Sequence, residues 1–436
     1  MNLSNFEFAK SRRFAPLFGT QFLGAFNDNL FKTTLFVLIS FYGLSKSDLL
    51  PASQMLNIGA LLFILPYFLF STLSGQLSTK YNKAKLAFII KLLEIAIMAL
   101  AAYGFYTESA SILFLCLFMM GTQSTLFGPL KYAILPDYLD NKELISGNSL
   151  IESGTFLAIL FGQILGTIVA SFPSSIVISL ILLVAVAGTI TSYFMPSVPA
   201  KNANQQIDLN IPKSTKSLIK TTFKQKPLYT AIIGISWFWL VGAVYTTQLP
   251  TFTQIHLGGN DNVFNLMLAL FSVGIAAGSI LCAKVSRERL HLGLVAVGTV
   301  GLTIFGFLLV WLTHQNHFTE LNGIFYFINQ GFAYPIMLCM IAIGFFGGFF
   351  SVPLYTWLQT ASSDDFRAHA IAANNIINGL FMVSAAIISA LLLWLFDSIS
   401  ILYLLVPIGN IAILAYLLHL EPRILQDLKG YLKVKH

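Results

Sequence analysis

The sequence predicts an all-α integral membrane protein with twelve transmembrane helices. Of its 436 residues, 56% are hydrophobic and only 10% are Asp, Glu, Lys or Arg, whereas soluble globular proteins carry roughly 25% charged residues. The mean hydropathy is +0.77, and the apolar residues form continuous runs of about 20 residues or more, the length of a bilayer-spanning helix. The strands of a membrane barrel would instead alternate polar and apolar residues. This composition excludes soluble enzymes, nucleic-acid-binding proteins and disordered proteins.

The apolar runs divide into six spans, one long polar linker and six further spans. The first span follows a basic head and is too long for the apolar core of a signal peptide, so we expect it to be retained. We predict an N-terminal six-helix bundle at 1–194, a basic linker at 195–227, a C-terminal six-helix bundle at 228–420 and a basic tail at 421–436. The predicted spans are residues 15–42, 52–76, 84–106, 110–130, 144–171, 174–194, 228–250, 263–283, 292–313, 334–358, 369–396 and 399–419.

The distribution of basic residues predicts that both termini and the linker are cytoplasmic. With this orientation, 22 of the 25 Lys and Arg residues lie in the inner segments, as the positive-inside rule requires. Lys32 and Lys91 lie within spans, and only Lys46 lies on the outer side. The linker itself carries a ladder of lysines between residues 213 and 226. This part is either a basic amphipathic helix on anionic lipid headgroups or a solvated linker.

The two halves repeat features in the same order, which is typical of transporters built from duplicated bundles. A glycine followed by three basic residues ends spans two and eight, and a Pro-Leu pair lies late in spans four and ten. Pairs of polar residues one turn apart follow in spans five and eleven, Asn148 with Glu152 and Asn374 with Asn378. The repeat predicts a substrate site built by both halves.

The loop after span two resembles the signature loop of the major facilitator superfamily. It reads Gly75-Gln76-Leu77, and three lysines follow. In that family a carboxylate two residues after the leucine locks the cytoplasmic gate, and here this position is Thr79. Twelve spans, a central linker and this loop together indicate the major facilitator fold. We expect the gating loop to contain Gly75, Lys80, Lys83 and Lys85.

Polar residues inside the spans are the candidate functional residues, because ionisable groups at membrane depth are costly. In span one, Gln21, Asp28 and Lys32 share one helical face. Asp28 is either a functional carboxylate or the partner of Lys32 in a structural ion pair. Glu152 in span five is the second acidic candidate, and both carboxylates are candidates for ion coupling. Lys91 and Glu94 in span three are expected to form a structural pair or to snorkel.

Three further polar residues of the spans have two interpretations each, and one glycine pair has a packing role. Gln123 in span four either lines the cavity or bonds a neighbouring helix, and the second is favoured. Asn374 and Asn378 either bind substrate or cross-link helices. Gly162 and Gly166 in span five are spaced for close helix packing.

Four strings resemble the bacterial lysophospholipid transporter family. They are QFLGAFNDN at 21–29, GTQSTLFGPLKY at 121–132, GNSLIESGT at 147–155 and GGFFSVPL at 347–354. The resemblance extends from Arg13 to about Ala385 and is closest to the members fused to an acyltransferase–acyl-carrier-protein synthetase. Here a short basic tail follows Arg423.

The resemblance implies inward flipping of lysophospholipid, chiefly lysophosphatidylethanolamine, across the bacterial inner membrane, followed by re-acylation by that cytoplasmic enzyme. Some free-standing members carry an arginine in span seven, where this chain has Tyr245-Thr246-Thr247-Gln248 without a charge. A zwitterionic headgroup is therefore favoured over an anionic one. The expected substrate-binding residues are Gln21, Asp28, Lys32, Gln123, Asn148, Glu152, Gln248, Asn374 and Asn378.

Two other classes of function are alternatives to lipid flipping. An ion-coupled carrier of a small amphiphile, such as a drug or siderophore, fits the composition and topology equally well. An intramembrane acyltransferase or hydrolase is disfavoured, because the chain has no Gly-x-Ser-x-Gly elbow and no HExxH motif. The three cysteines lie in apolar runs without metal-ligand spacing, so we expect no metal or cofactor. We expect a monomer that contacts membrane lipids and no nucleic acid.

The predicted orientation is tested by cysteine accessibility. A cysteine replacing Asn260 or Lys46 should react with a membrane-impermeant maleimide in intact cells, whereas a cysteine replacing Lys213 should react only after the membrane is opened. The other lysine positions of the linker serve as further sites that should react only after the membrane is opened. Labelling of positions 213 and 260 from the same side would show that the topology is wrong.

Overall fold

The structure is a computed structural model that describes residues 4–41, 44, 52–287 and 289–433. These residues are helical apart from connecting loops and one isolated bridge between Gly259 and Asn322. Lys46, expected on the outer side, lies outside the described residues. After a 3-10 helix at Ser4–Lys10, the helices are α1 (Ala15–Phe41), α2 (Ala52–Lys80), α3 (Lys83–Tyr106), α4 (Ala110–Tyr138), α5 (Leu144–Val169), α6 (Ser174–Tyr193), α7 (Ile211–Phe223), α8 (Lys226–Leu257), α9 (Asp261–Ser286), α10 (Gly293–Thr313), α11 (Ile324–Ile328), α12 (Ala333–Ala361), α13 (Arg367–Phe396), α14 (Ile399–Leu420) and α15 (Arg423–Lys433).

Each of the twelve predicted spans overlaps one long helix, which confirms the predicted helical architecture. Within the described ranges, eleven helices are long and apolar enough to cross a membrane. Helix α1 has 27 residues but is not among them, because the polar cluster around Asp28 interrupts its apolar surface. Polar and ionisable groups at membrane depth are costly, so this cluster needs partners from neighbouring helices.

Two helices extend well beyond their predicted ends. The sequence places the ends of spans four and seven at residues 130 and 250, but α4 continues past Pro129 to Tyr138 and α8 past Pro250 to Leu257. Proline is tolerated inside membrane helices because neighbouring groups satisfy the freed carbonyl. Helix α8 ends instead at Gly258, whose φ of 60° is left-handed and reverses the chain.

The linker forms the amphipathic helix α7. Asn210 caps its first turn by accepting a hydrogen bond from the backbone N of Lys213 at 3.2 Å. Leu218 and Thr222 are buried, whereas the lysines of this helix are exposed. The prediction of an amphipathic helix is therefore confirmed for residues 211–223, and contact of this helix with lipid headgroups stays a prediction.

The described contacts divide the chain into two compact units. The first unit comprises residues 1–147, 157–224 and 362–376, and the second comprises residues 148–156, 225–361 and 377–436. Thus the start of α5 packs with the second unit and the start of α13 with the first. The core of the first unit contains buried apolar residues of α1, α3, α4 and α6, including Phe31, Ile97, Leu113 and Ile181.

Close helix contacts in both units require glycine. In the first unit, a Cβ on Gly162 of α5 would lie 2.6 Å from the carbonyl oxygen of Phe26 in α1, which confirms the predicted packing role of that pair. In the second unit, a Cβ on Gly278 of α9 would overlap the carbonyl of Phe345 in α12. Small residues permit such backbone approach in membranes, where packing rather than the hydrophobic effect holds helices together.

Helix α15 anchors the end of the described chain against the start of α10. Ile424 is fully buried, and the backbone of Leu428 lies against Gly293. The Asp427 carboxylate accepts a hydrogen bond from the backbone N of Leu292 at 3.2 Å. A carboxylate in this position stabilises the positive end of the α10 dipole.

Candidate functional site

A buried polar cluster in the first unit is centred on Glu94. Glu94 forms an ion pair with Lys91, one turn earlier on α3, and the two side chains are 0% and 1% exposed. Asn27 of α1 donates to Glu94 Oε1 at 2.9 Å, and Gln123 of α4 donates to Glu94 Oε2 at 3.0 Å. Three helices are thereby joined at one carboxylate. The expectation that Lys91 and Glu94 form a structural pair is confirmed, and so is the favoured interpretation of Gln123.

Asp28 lies at the edge of this cluster with a different hydrogen-bonding state. Its Oδ2 accepts a hydrogen bond from Ser124 of α4, and the Ser124 hydroxyl also lies 3.3 Å from Gln123 Oε1. Asp28 is only 9% exposed. Its Oδ1 atom is buried and has no hydrogen-bond partner in the described part of the chain. A buried acceptor without a partner is costly. Asp28 therefore has capacity for a cationic or protonated ligand.

Lys32 does not form a direct ion pair with Asp28 among the described residues. Its Nζ lies 4.9 Å from the centroid of the Phe63 ring on α2, within the range of a cation–π interaction. The structural interpretation of Asp28 required a direct pair with Lys32, and in this structure the two charged groups have separate partners. Gln21, on the same face of α1, is also buried.

Two of the predicted residues, Asn148 and Asn378, form hydrogen bonds within the second unit. Asn148 of α5 and Gln359 of α12 exchange two hydrogen bonds, at 2.6 and 3.1 Å, and Asn148 also donates to Thr356. Asn378 accepts a hydrogen bond from the Ser236 hydroxyl of α8 at 2.8 Å. Both asparagines therefore cross-link helices in this conformation. Glu152 is buried one turn after Asn148, and Gln248 lies half-buried in α8.

Asn374 belongs to the first unit and differs from Asn378 in its hydrogen bonding. Its Oδ1 is buried without a hydrogen-bond partner in the described residues, and its side chain is 1% exposed. The neighbouring Asn375 amide nitrogen would lie 2.7 Å from a Cβ built on Gly128 of α4. Of the predicted asparagines, Asn374 is therefore the one with a carbonyl oxygen available to a ligand.

The predicted gating loop packs against the start of α13 in the first unit. A Cβ on Gly75 would lie 3.0 Å from the Cβ of Ala372 and 3.2 Å from the carbonyl oxygen of Ala368. Thr79, at the position of the family's carboxylate, lies 3.2 Å from Nδ1 of His369 through its hydroxyl. Thr79 therefore offers a hydrogen bond at the position where an ionic contact is absent, as the sequence predicts.

Acidic residues at other positions form an ionic chain beside this loop. Asp137 lies 2.8 Å from Lys83 and 2.8 Å from Lys201, and Lys201 lies 3.8 Å from Asp364. Arg367 pairs with Asp364 at 2.7 Å and lowers the pKa of that carboxyl group through this charged hydrogen bond. Of the predicted lysines, Lys83 joins this chain, whereas Lys80 lies over the ring of Tyr81 and Lys85 is exposed.

The sequence interpretation missed Asp137, Lys201 and Asp364. One signal could have identified Asp137: it follows Pro136 at the end of an apolar run and is the first carboxylate after that span. A buried carboxylate at such a position requires a cation. The partner of Asp137 could not be identified in this way, because Lys201 lies 64 positions later in the linker.

A second ion pair holds the chain at the start of α1. Arg13 contacts both carboxylate oxygens of Glu143 at 2.6 Å. Burial opposes ionisation of Glu143, but the hydrogen bonds from Arg13 and from the backbone of Asp140 leave its pKa below the usual value.

Among the described residues, no group of three or more His, Cys, Asp or Glu side chains is placed to hold a metal ion.

Comparisons with known proteins identify similar transporters. The family model of the Major Facilitator Superfamily matches residues 17–338. The chain is 27% identical over 361 residues to the lysophospholipid transporter LplT of Enterobacter sp. (strain 638), covering 82% of this chain and 81% of that protein. It is 26% identical over 375 residues to the protein of the same name from Cronobacter sakazakii, covering 84% and 85%.

Solved structures with the same fold include two transporters. The human organic anion transporter MFSD10 matches with a TM-score of 0.71 at 14% identity, over 92% of this chain and 99% of that chain. The Escherichia coli fucose:proton symporter FucP matches with a TM-score of 0.66 at 11% identity, over 93% and 98%. At these identities the likeness establishes the fold alone.

The Glu94 cluster yields a stability prediction. Glu94→Gln keeps the shape of the side chain but leaves Lys91 as a buried cation without its counter-charge, which costs roughly 3–5 kcal/mol. We expect a large drop in the melting temperature of the purified protein in detergent. The double variant Lys91→Met/Glu94→Gln should recover part of that loss, because no buried charge then remains.

The matched control is Glu421→Gln, which breaks the pair of Glu421 with the exposed Arg423. Exposed pairs contribute about 0–1 kcal/mol, so this variant should melt close to the unmodified protein. Similar melting of the Glu94→Gln and Glu421→Gln variants would contradict the central role of Glu94.

Proposed function

The chain belongs to the Major Facilitator Superfamily and is a membrane transporter, and from this premise we propose that its substrate is a lysophospholipid. We propose that it moves lysophosphatidylethanolamine from the outer to the inner leaflet of the bacterial inner membrane by alternating access. The relatives named as lysophospholipid transporters support the substrate class. The observation that carries the proposal is the buried Asp28 carboxylate with one oxygen available.

The chemistry around Asp28 suits a zwitterionic headgroup. An ethanolamine ammonium is a hydrogen-bond donor with a positive charge, and Asp28 Oδ1 is a buried acceptor without a described partner. The ammonium of Lys32, one turn further along α1, lies over the Phe63 ring and forms no ion pair with a carboxylate in the described residues. It can therefore bind the phosphate of the headgroup. The two groups therefore offer opposite charges to the two charged ends of one headgroup. Gln21 and Asn374 supply further polar contacts under this proposal.

The transport cycle that we propose uses the contacts of α2 and the linker with α13. Opening of this end of the first unit requires Gly75 to separate from Ala372, and the ionic chain through Lys201 to break. The pair of Lys201 with Asp364 is partly exposed, so it contributes little, and a substrate-driven change can overcome it. The buried pair of Lys83 with Asp137 stays intact in this cycle. In this cycle the bundles predicted at 1–194 and 228–420 alternate in access, and Glu152 is the second candidate for ion coupling.

Orientation and partners follow the same proposal. The basic linker, the gating loop and both termini face the cytoplasm under the positive-inside rule. A lysolipid delivered to the inner leaflet becomes a substrate for a cytoplasmic acyltransferase–acyl-carrier-protein synthetase, which we propose as the functional partner of a monomeric transporter.

The substrate is tested by competition in proteoliposomes. Uptake of labelled lysophosphatidylethanolamine should be reduced by unlabelled lysolipid and not by diacyl phosphatidylethanolamine, because a second chain needs matching apolar volume at roughly 0.8 kcal/mol per buried CH₂. The soluble glycerophosphoethanolamine should compete poorly. Equal competition by this chainless compound would point to a carrier of small solutes, and imposed ion gradients would then identify the coupling ion.

The role of Asp28 is tested by Asp28→Asn, which preserves shape and removes the charge. Hydrogen bonds to charged groups contribute about 1.5–3 kcal/mol, so we expect uptake to fall about tenfold or more while the melting temperature changes little. Asp261→Asn, in the exposed first turn of α9, is the control and should transport normally. Uptake at the unmodified rate by Asp28→Asn would exclude both headgroup binding and ion coupling at this residue.

A further inference from the structure

An open cleft lies between the linker helix α7 and helix α2, and its lining shares no residue with the Asp28 cluster. Its volume is about 590 Å³, within the range of sites that hold a small ligand. The hydroxyls of Thr72 in α2 and Thr215 in α7 lie 2.9 Å apart, and this contact sets the position of α7 on α2. The cleft is lined by Phe68 of α2 and by Ile211, Pro212, Thr215, Lys216, Ile219 and Lys220 of α7.

The two sides of α7 differ sharply in character. At 100° per residue, Lys213, Lys216, Lys220 and Lys224 fall within an arc of about 80° on the exposed side. The residues that face α2, such as Thr215 and Leu218, lie on the opposite side. Ile219 and Pro212 lie between the two sides and form the apolar wall of the cleft, so that Lys216 and Lys220 stand at its outer rim.

The charge of this surface is not balanced by nearby carboxylates of the sequence. No Asp or Glu occurs between residues 209 and 260, whereas five lysines lie between 213 and 226. A cluster of this kind beside membrane spans attracts anionic lipid, at roughly 1 kcal/mol per lysine near the surface. The cleft therefore combines a cationic rim with an apolar wall.

We infer that this cleft binds one anionic diacyl phospholipid of the leaflet that α7 contacts, with its phosphate at Lys216 and Lys220 and an acyl chain along Phe68 and Ile219. Phe68 lies within residues 58–80 of α2, a stretch long and apolar enough to cross a membrane, so the apolar wall belongs to a candidate membrane span. This position favours a lipid over an acidic soluble protein as the occupant. The bound lipid would tie the linker helix to α2, next to the gating loop.

This site is independent of the transported substrate. The headgroup that we propose at Asp28 is zwitterionic, whereas the rim of this cleft has only cations. The assignment to the cytoplasmic leaflet rests on the proposed orientation, but binding itself can be measured in detergent without that orientation.

The test is native mass spectrometry of the full-length protein titrated with phosphatidylglycerol. The double variant Lys216→Gln/Lys220→Gln should bind this lipid roughly thirtyfold more weakly, since two lysines at about 1 kcal/mol each correspond to that factor. The matched control is Lys213→Gln/Lys224→Gln, which removes the same charge from the same helix at positions outside the cleft, and it should bind nearly as the unmodified protein does. Ile219→Ser should weaken binding without a change of charge.

Three outcomes would overturn the inference. Equal loss of binding in the two double variants would show that net charge alone attracts the lipid. Equal binding of phosphatidylethanolamine and phosphatidylglycerol would show that the cationic rim does not select anionic lipid. The lysines would then be available to an acidic protein. Equal competition by soluble glycerophosphoglycerol would show that the apolar wall holds no acyl chain. All variants replace exposed or half-exposed side chains, and their melting temperatures report whether each is folded.

Discussion

The hydrogen-bonded ion pair of Glu94 is the interaction on which the packing of the first unit depends. It is fully buried and is satisfied by an ammonium and two amide donors, the condition under which a buried charge is tolerated. Its donors come from α1 and α4 as well as from α3, so one carboxylate fixes the relative positions of three helices. Asn27 is the α1 contributor, and Asp28 is its neighbour in the chain. The Glu94 cluster thus places the Asp28 carboxylate, which we propose as the headgroup contact, at the edge of a buried polar cluster.

The contrast between Glu94 and Asp28 assigns their different roles. All the hydrogen-bonding capacity that Glu94 needs is supplied by the protein, whereas one oxygen of Asp28 lacks a partner in the described residues. A protein that needed only stability would gain by replacing such a group with an apolar one. The unpartnered oxygen of Asp28 is consistent with the ligand contact proposed above. Ser124 holds the other oxygen and keeps the carboxylate oriented.

The linker has a structural role beyond connecting the two halves. Lys201 bridges Asp137 and Asp364, while the backbone N atoms of Lys201 and Asn202 donate to the carbonyl of Thr79 at 3.1 Å. Helix α7 then packs along α2 and forms the cationic cleft. The linker therefore contacts Thr79 by backbone hydrogen bonds and α2 by helix packing, and it shares the carboxylate of Asp137 with Lys83. This arrangement compensates for the threonine at the position where the family places a carboxylate.

The sequence by itself determined the helical architecture, because span length and hydropathy are local properties that the bilayer thickness selects. It also identified Asp28, Lys32, Glu94 and Gln123 as polar residues that apolar spans would not contain without a reason. Only the tertiary structure decided which of them are paired. Spacing along one helix suggested that Asp28 pairs with Lys32, but Ser124, 96 positions away, supplies the hydrogen bond. Partners of buried polar groups are set by which helices pack together, and glycine contacts and distant side chains decide that packing. The ends of α4 and α8 were misjudged for a related reason, since neighbouring helices allow prolines to remain inside a membrane helix.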